Sequence, residues 1–274
     1  MSVTLAFMTN YTLYLPDTDK QEQTIKSFFN VLKPLNLVDI FILCDEKPLS
    51  KVDSGITLYN GNICDDYKIL GDEYENKLKN IDEFKDATII KTDGLCDGYK
   101  KVIELCKTPY LFFLEHDWEF LSNIKHTLVD LTKLMDQQHE INAILFNKLW
   151  NTQQGHRQTL YKTSYNIPLC LTNRQSNNPY LLRVEHARNC RVKMIDNNGC
   201  SVHQGVEYNY VLNNIKLPNY CGGIECELTE FCNKDTDNFK ILGTYIYGCL
   251  DGPPTIKHTD GCDRDFLTKY IDLK

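Results

Sequence analysis

Residues 109–120 read Pro109-Tyr-Leu-Phe-Phe-Leu-Glu-His-Asp-Trp-Glu-Phe120 and are the most informative stretch of the chain. The apolar run Tyr110–Leu114 has the length and composition of a buried strand. Glu115 and Asp117 follow at its carboxyl end, and residues two apart on an extended chain point the same way. Two carboxylates that face one site suit Mg²⁺ or Mn²⁺. The alternative is an acidic turn that caps the next helix.

The segments around this strand alternate between strand and helix patterns. Short apolar runs predict strands at Val3–Met8, Val38–Leu43 and Ala87–Ile90. Apolar residues at helical spacing predict helices at Gln21–Lys33, Gly98–Cys106 and Ser122–Gln138, the last with Ser122 as its N-cap. This alternation predicts an α/β domain with a mostly parallel central sheet flanked by helices.

The second half of the chain has a less regular pattern. Strands are expected at Ile141–Phe146, Tyr180–Val184 and Lys240–Tyr247, and short helices at Ser201–Asn213 and Glu225–Asn233. The polar stretch Asn147–Asn178 contains no clear helix. Without an internal repeat or a linker, residues 1–274 are expected to form a single domain.

Composition and charge exclude several classes of protein. The chain has 274 residues and a formal net charge of -7, so it has no overall attraction for phosphate backbones and no nucleic acid partner is expected. No apolar run is long enough for a membrane span, and no leader precedes the first strand, which predicts a cytoplasmic protein.

The twelve cysteines include no C-x-x-C pair, which favours free thiols over a zinc site. Abundant Lys, Asn, Ile, Asp and Tyr are typical of an AT-rich genome, such as that of a large virus or a protist.

Polar residues follow each predicted strand of the first half. They are Thr9-Asn10, Asp45, Asp93 and Glu115-His116-Asp117. In open α/β sheets, ligands bind outside the carboxyl ends of the strands, so these residues are the first candidates for a site. Neither G-x-G-x-x-G nor G-x-x-x-x-G-K-[ST] follows the first strand, which excludes the usual dehydrogenases and P-loop NTPases.

A strand that ends in an acid-x-acid motif, together with these polar strand ends, resembles the GT-A fold nucleotide-sugar glycosyltransferases, in particular the family-2-like members. The resemblance covers residues 3–120 well and the rest loosely. It implies that residues 1–120 form a nucleotide-sugar-binding half and residues 121–274 an acceptor-binding half. The implied activity is metal-dependent transfer of a sugar, with inversion, from a UDP- or GDP-sugar donor to a hydroxyl of a glycan, protein or small-molecule acceptor.

The resemblance also assigns roles to particular residues. The implied nucleotide-sugar contacts are Thr9, Asn10, Asp45, Asp93, Lys100, Glu115 and His116. Asp117 is the implied metal ligand, whereas Glu115, which stands where the family has Asp, is assigned to the sugar or ribose. Many GT-A enzymes add a C-terminal histidine to the metal, and His258 has that position here. Because imidazole suits Mn²⁺ better than Mg²⁺, this ligand favours manganese.

The general base is implied to lie in residues 220–230, where a glycine pair precedes acids at the start of a helix. This position points to Glu225, with Glu207 as the competing candidate. An inverting transfer needs a carboxylate near the acceptor hydroxyl. Acids also favour any helix N-terminus, so a purely structural role stays open.

Two other functions remain as alternatives. A sugar-1-phosphate nucleotidyltransferase shares the sheet layout but needs a Gly- and Arg-rich loop after the first strand, and Thr9–Leu15 has none. The unusual Glu-His-Asp motif keeps open a catalytically inactive GT-A-like protein that binds glycans or is structural. Scattered arginines could bind a diphosphate but are more often solvated. They are Arg174, Arg183, Arg188 and Arg191.

Overall fold

The computed structural model describes residues 1–9, 18–45, 49–52, 55–58, 65–92, 95–153, 159–176, 178–192, 211–212, 215–216, 232 and 237–259. The strands are β1 Val3–Thr9, β2 Leu37–Asp45, β3 Leu49–Val52, β4 Gly55–Leu58, β5 Thr88–Thr92, β6 Tyr110–Glu115, β7 Trp118–Phe120, β8 Ala143–Leu145, β9 Leu160–Lys162, β10 Leu169–Thr172, β11 Tyr180–Arg183, β12 Val211–Leu212, β13 Ile215–Lys216, β14 Thr244–Tyr247 and β15 Ile256–His258. The helices are α1 Asp19–Leu32, α2 Asp65–Lys79, α3 Leu95–Leu105, α4 Leu128–Gln137, α5 Val184–His186, which continues as a π-helical segment Ala187–Arg191, and α6 Asp237–Leu242, with 3₁₀ turns at Asp82–Phe84 and Asn151–Gln153.

The central sheet of the described residues has nine strands in the order β5-β2-β1-β6-β11-β8-β14-β10-β9. Strands β5, β2, β1 and β6 are parallel neighbours, and β14 is parallel to β8. Strand β11 is antiparallel to β6 and β8, and β10 is antiparallel to β14 and β9. Seven of the nine strands therefore run in one direction, which confirms the predicted α/β fold with a mostly parallel sheet.

Two hydrophobic clusters cover the two faces of the sheet. Successive strand residues point to opposite faces, so Leu5 and Phe7 belong to one cluster and Ala6 and Met8 to the other. Helix α1 packs on the first face through a stripe that includes Phe28, which is fully buried with its ring centre 4.8 Å from that of Phe112. Truncating such an aromatic residue to alanine costs about 3–5 kcal/mol.

Helix α4 begins six residues later than the predicted start at Ser122. Its N-cap is Thr127, whose hydroxyl accepts a hydrogen bond from the Asp130 N–H at 3.2 Å, while the Asp130 carboxylate accepts one from the Thr127 N–H at 2.9 Å. This capping box satisfies two N–H groups that the first turn of a helix leaves without partners. The preceding residues bond elsewhere, because the Leu121 N–H donates to the Thr255 carbonyl at 2.9 Å.

The second half of the chain departs further from the prediction. The predicted strand Lys240–Tyr247 is wrong in its first part, because α6 runs to Leu242 and Gly243, with a φ of 53°, separates it from β14. Strands β9 and β10 lie in the stretch where no element was predicted. Of the two predicted helices at 201–213 and 225–233, only residues 211, 212 and 232 are described, and the first two form β12.

Two further findings concern the whole of the described chain. The cysteines among these residues form no disulfide with one another, and most of them are buried. None of the helices described is both long and apolar enough to span a bilayer.

Candidate functional site

The carboxyl ends of the four parallel strands lie side by side at one edge of the sheet. Thr9 pairs with Cys44, the residue before Asp45 at the end of β2, and Asp45 pairs with Thr92 at the end of β5. On the other side of β1, Met8 pairs with Glu115 of β6. The strand ends that were predicted to form a nucleotide-sugar site therefore lie next to one another.

The structure brings Asp117 and His258 together, although they lie far apart in the sequence. The chain turns at residues 116–117 and continues as β7, and β15 pairs with β7 so that His258 lies opposite Trp118. His258 Nε2 is 3.0 Å from Asp117 Oδ2, and the two side chains are only 14% and 18% exposed. The two residues assigned to the metal are thus in direct contact.

Two buried asparagines hold the turn that leads into β15. Asn147 exchanges hydrogen bonds with Thr255: its N–H donates to Thr255 Oγ1 at 2.9 Å, and its carbonyl accepts from the Thr255 N–H at 2.8 Å. Asn151 Nδ2 donates to the Cys249 carbonyl at 2.7 Å, and its N–H donates to the Gly252 carbonyl at 3.0 Å. Asn147 Nδ2 donates to Asn151 Oδ1 at 2.8 Å, so the two side chains form one unit, which we call the asparagine clamp. The clamp fixes the direction in which β15 leaves the turn.

Trp118 and Lys148 belong to the same site, and sequence reasoning missed both. The Trp118 ring is 4% exposed and packs edge-on against the His258 ring, with 4.5 Å between the ring centres. Lys148 Nζ lies 5.7 Å from the centre of the Trp118 ring. The signal for Trp118 was its position directly after Asp117. Lys148 follows the predicted strand Ile141–Phe146, and only the order of the strands brings it here.

His116 occupies the turn between β6 and β7. Burial lowers the pKa of its imidazole, and the adjacent Asp117 carboxylate acts in the opposite direction. Its backbone carbonyl accepts a hydrogen bond from Thr24 Oγ1 at 2.7 Å, which ties the turn to α1. The described surroundings therefore favour a neutral ring, and the predicted contact of His116 with a nucleotide sugar stays a prediction.

Thr9 takes part in a buried polar network beneath this edge of the sheet. Its hydroxyl lies 2.5 Å from Tyr74 Oη on α2, and Gln21 Nε2 on α1 donates to Tyr74 Oη at 2.8 Å and to Thr9 Oγ1 at 3.3 Å. Thr9 is 2% exposed, so this network uses its hydroxyl to join β1 to both helices. Its role as a nucleotide contact stays a prediction.

The remaining predicted residues divide into two groups. Lys100 is half-buried on α3, and Asp45 is the last residue of β2. The others lie outside the described residues; they are Asn10, Asp93, Glu207 and Glu225. Arg183 and Arg188 bond to the backbone, because Arg183 Nη2 donates to the Met135 carbonyl at 2.5 Å and Arg188 Nε donates to the Ile103 carbonyl at 3.1 Å.

The donor atoms of Asp117 and His258 fit a divalent cation. Octahedral cations such as Mg²⁺ hold ligands at about 2.1 Å, which puts neighbouring ligand atoms roughly 3.0 Å apart. The measured separation of Oδ2 and Nε2 is 3.0 Å, and a carboxylate oxygen with an imidazole nitrogen suits Mn²⁺. No group of three or more His, Cys, Asp or Glu side chains that could hold a metal ion occurs in the part of the chain that is described. Two protein ligands would leave the other positions to water and phosphate, as is usual for such cations.

Comparison with solved structures supports the fold. The chain is similar to a UDP-glucose pyrophosphorylase solved with UDP-glucose, with 10% identity, 100% of both chains covered and a TM-score of 0.50. It is also similar to residues 1–349 of TarS from Staphylococcus aureus, with 13% identity, 100% of this chain and 65% of that chain covered, and a TM-score of 0.44. A third similar structure is the mannosyltransferase PcManGT from Pyrobaculum calidifontis in complex with GDP-Man and Mn²⁺, with 9% identity, 68% of this chain and 46% of that chain covered, and a TM-score of 0.39.

The chain thus spans less than two thirds of the TarS chain and less than half of the mannosyltransferase chain. No family model and no curated protein sequence matches it. The whole-chain likeness to the pyrophosphorylase confirms the GT-A type of fold, a Rossmann-like sheet flanked by helices. At these identities the likeness establishes the fold alone, and the activity has to be argued from the site.

Proposed function

We propose that this chain is a glycosyltransferase that moves a sugar from a nucleotide-sugar donor to an acceptor hydroxyl with the help of Mn²⁺ or Mg²⁺. The observation that carries the proposal is the contact between Asp117 and His258, 3.0 Å apart, beside the carboxyl ends of the parallel strands. A carboxylate and an imidazole from distant parts of the chain meet where α/β sheets bind their ligands. The predicted cytoplasmic location stays a prediction.

The donor would lie across the ends of β2, β1 and β6. Asp45 and Asp93 would contact the nucleoside, and Glu115, at the end of β6 and beside Met8, would accept hydrogen bonds from the ribose or the sugar. Carboxylates accept hydrogen bonds from hydroxyl groups, which both the ribose and the sugar carry. A UDP- or GDP-sugar is the donor class that we propose.

Asp117 and His258 would hold the cation. A divalent cation at this position supplies Lewis-acid stabilisation of the charge that develops on the departing diphosphate. The chain itself supplies the geometry, because β15 pairs with β7 and the asparagine clamp fixes the turn before β15. Trp118, packed against the His258 ring, keeps that imidazole from turning away.

The acceptor would be a hydroxyl group of a glycan, a protein or a small molecule. Its oxygen forms the new bond to the anomeric carbon, while the bond from that carbon to the diphosphate oxygen breaks and leaves its electron pair on that oxygen. A carboxylate takes the proton of the acceptor hydroxyl, and Glu225 is the proposed base, with Glu207 as the alternative. Attack from the side opposite the diphosphate inverts the anomeric centre.

Calorimetry with a panel of UDP- and GDP-sugars, with and without Mn²⁺, tests this proposal. We expect one donor to bind in a metal-dependent manner and to be hydrolysed slowly when no acceptor is present. Asp117→Asn should lose metal-dependent binding, whereas Asp237→Asn, a change on the exposed helix α6, should keep it. Equal donor binding with and without metal, together with an unaffected Asp117→Asn variant, would contradict the proposal.

The same assay separates the alternatives. A sugar-1-phosphate nucleotidyltransferase would release pyrophosphate when given a nucleoside triphosphate and a sugar 1-phosphate. A catalytically inactive glycan-binding or structural protein would bind none of the nucleotides. Either result would replace the glycosyltransferase proposal.

A further inference from the structure

Lys148 lies next to the candidate cation site. Its Nζ is 5.7 Å from the centre of the Trp118 ring, and that ring centre is 4.5 Å from the centre of the His258 ring. The two distances together limit the separation of the ammonium group from the His258 ring to about 10 Å. The Lys148 side chain is half-buried, and its long stem allows the charge to move by several ångströms.

The asparagine clamp fixes the backbone position of Lys148. Asn147 and Asn151, on either side of Lys148, are only 2% and 1% exposed. Asn147 pairs through its backbone with Thr255, just before the strand that carries His258. The clamp that positions the strand of His258 therefore also anchors the backbone at Lys148, so the backbones of the two residues keep a fixed relation.

The charge balance of the site calls for another cation. A departing nucleoside diphosphate carries more negative charge than one divalent cation neutralises, and Asp117 adds to the excess. Lys257 is directed elsewhere, because successive strand residues point to opposite faces and its Nζ lies 3.7 Å from Glu119 Oε2. The ammonium of Lys148 lies over the face of an aromatic ring. A charge-assisted hydrogen bond to a phosphate oxygen is stronger than such a cation–π contact, so a bound phosphate competes for this ammonium.

We propose that Lys148 binds the diphosphate of the nucleotide-sugar donor and stabilises it as it leaves. This inference rests on the proposed function, because it needs a nucleotide at the site. Lys148 donates hydrogen bonds to diphosphate oxygens and transfers no proton. When the nucleotide binds, the ammonium moves from the face of Trp118 to the phosphate.

Nucleotide titration of a variant with a single tryptophan tests the inference. The chain has two tryptophans, and Trp150→Phe removes the exposed one and leaves Trp118 as the reporter. In this background and with Mn²⁺ present, we expect UDP or GDP to change the Trp118 fluorescence as the ammonium leaves the ring. Lys148→Gln should weaken binding of the diphosphate by roughly tenfold or more and leave binding of the matching nucleoside unchanged.

Two further variants complete the experiment. Lys148→Arg keeps the charge and should retain most of the diphosphate affinity. Lys162→Gln, on the exposed strand β9, should behave like the parent protein and serves as the matched control. A parent protein that binds UDP or GDP, with Lys148→Gln binding it equally well, would overturn the inference and leave the proposed function standing. A parent protein that binds neither nucleotide would overturn both. Circular dichroism and melting temperature confirm that each variant is folded.

Discussion

The backbone N–H of Thr259 donates a hydrogen bond to the Asp117 carbonyl at 2.8 Å. This bond continues the pairing of β15 with β7, so the acidic turn and the end of β15 are joined by their backbones as well as by the Asp117–His258 side-chain contact. The position of the strand therefore does not depend on the imidazole. Side-chain substitutions at His258 can test cation binding while the strand stays in place.

Replacing His258 with alanine should weaken Mn²⁺ binding by about 10-fold or more, because loss of a group that only hydrogen-bonds to a metal ligand already costs that much. Calorimetric titration with Mn²⁺ measures the effect. The matched control is His126→Ala, which removes a ring that contacts Tyr247 Oη at 2.7 Å, away from Asp117. Equal Mn²⁺ affinity of the parent and the His258 variant would show that the imidazole is not a ligand.

The asparagine clamp should affect both stability and cation binding. Asn151→Ala removes the acceptor of the buried Asn147 Nδ2 and the donor to the Cys249 carbonyl, which costs about 1–3 kcal/mol in unfolding free energy. Because the turn then no longer fixes β15, Mn²⁺ affinity should fall as well. Asn123→Ala is the matched control, because Asn123 Nδ2 also donates to this turn, at the Pro254 carbonyl, from an exposed position. Urea unfolding and Mn²⁺ titration of the two variants should differ clearly; equal losses would argue against the role of the clamp.

The capping box of α4 predicts a stability difference that depends on pH. Hydrogen bonds from the backbone and side chain of Thr127 lower the pKa of Asp130 below its ordinary value of 3.8. A lowered folded-state pKa stabilises the protein above the unfolded-state value, and this contribution disappears as the pH falls through the folded-state value. Asp130→Asn should therefore be less stable than the parent at pH 7, by about 0.3–1 kcal/mol as for loss of a negative charge in the first turn of a helix, and the difference should shrink in acid. Urea unfolding over a range of pH checks this, and a gap that widened in acid would contradict it.

Two glycines should differ in their response to alanine. Gly243 has a φ of 53°, and a Cβ there would lie 2.2 Å from the Glu140 carbonyl oxygen, so Gly243→Ala should destabilise by more than about 2 kcal/mol. Gly98 lies within α3, where a Cβ would lie 3.2 Å from Met8 Sδ, 3.3 Å from Thr92 Cγ2 and 3.4 Å from Leu43 Cδ1. Alanine favours helix there by about 1 kcal/mol, which offsets the contact. Melting temperatures of the two variants, compared with the parent, measure the contrast.

Local sequence patterns were enough to predict those helices and strands whose apolar residues recur at the spacing of the element itself. The stripe of α1 and the apolar run of β6 were both predicted within a few residues of their observed bounds. The start of α4 was missed because the backbone of Leu121 bonds to Thr255, a partner far along the chain that no local pattern reveals. Strands β7 and β15 are three residues each and exist because they pair with one another, so neither has a pattern of its own.

The candidate site was predictable in part for the same reason. Asp117 was found because it follows a buried strand directly, and His258 because the resemblance assigned a C-terminal histidine to that position. Lys148 was not found, since its contact with Trp118 depends on the strand order that places β8 two strands from β6. Thr9 was expected at a ligand; its hydroxyl bonds with Tyr74 and Gln21, and its contact with a nucleotide stays a prediction.

Because β7 and β15 lie far apart in the sequence, they can pair only late in the synthesis of the chain. Asp117 leaves the ribosome long before His258, so a nascent chain carries only half of the proposed cation pair. Much of the nine-stranded sheet is available earlier, because its last strand in sequence, β14, ends at Tyr247. A product terminated just after that strand would keep all nine strands described for the sheet and would lack His258 of the proposed cation pair.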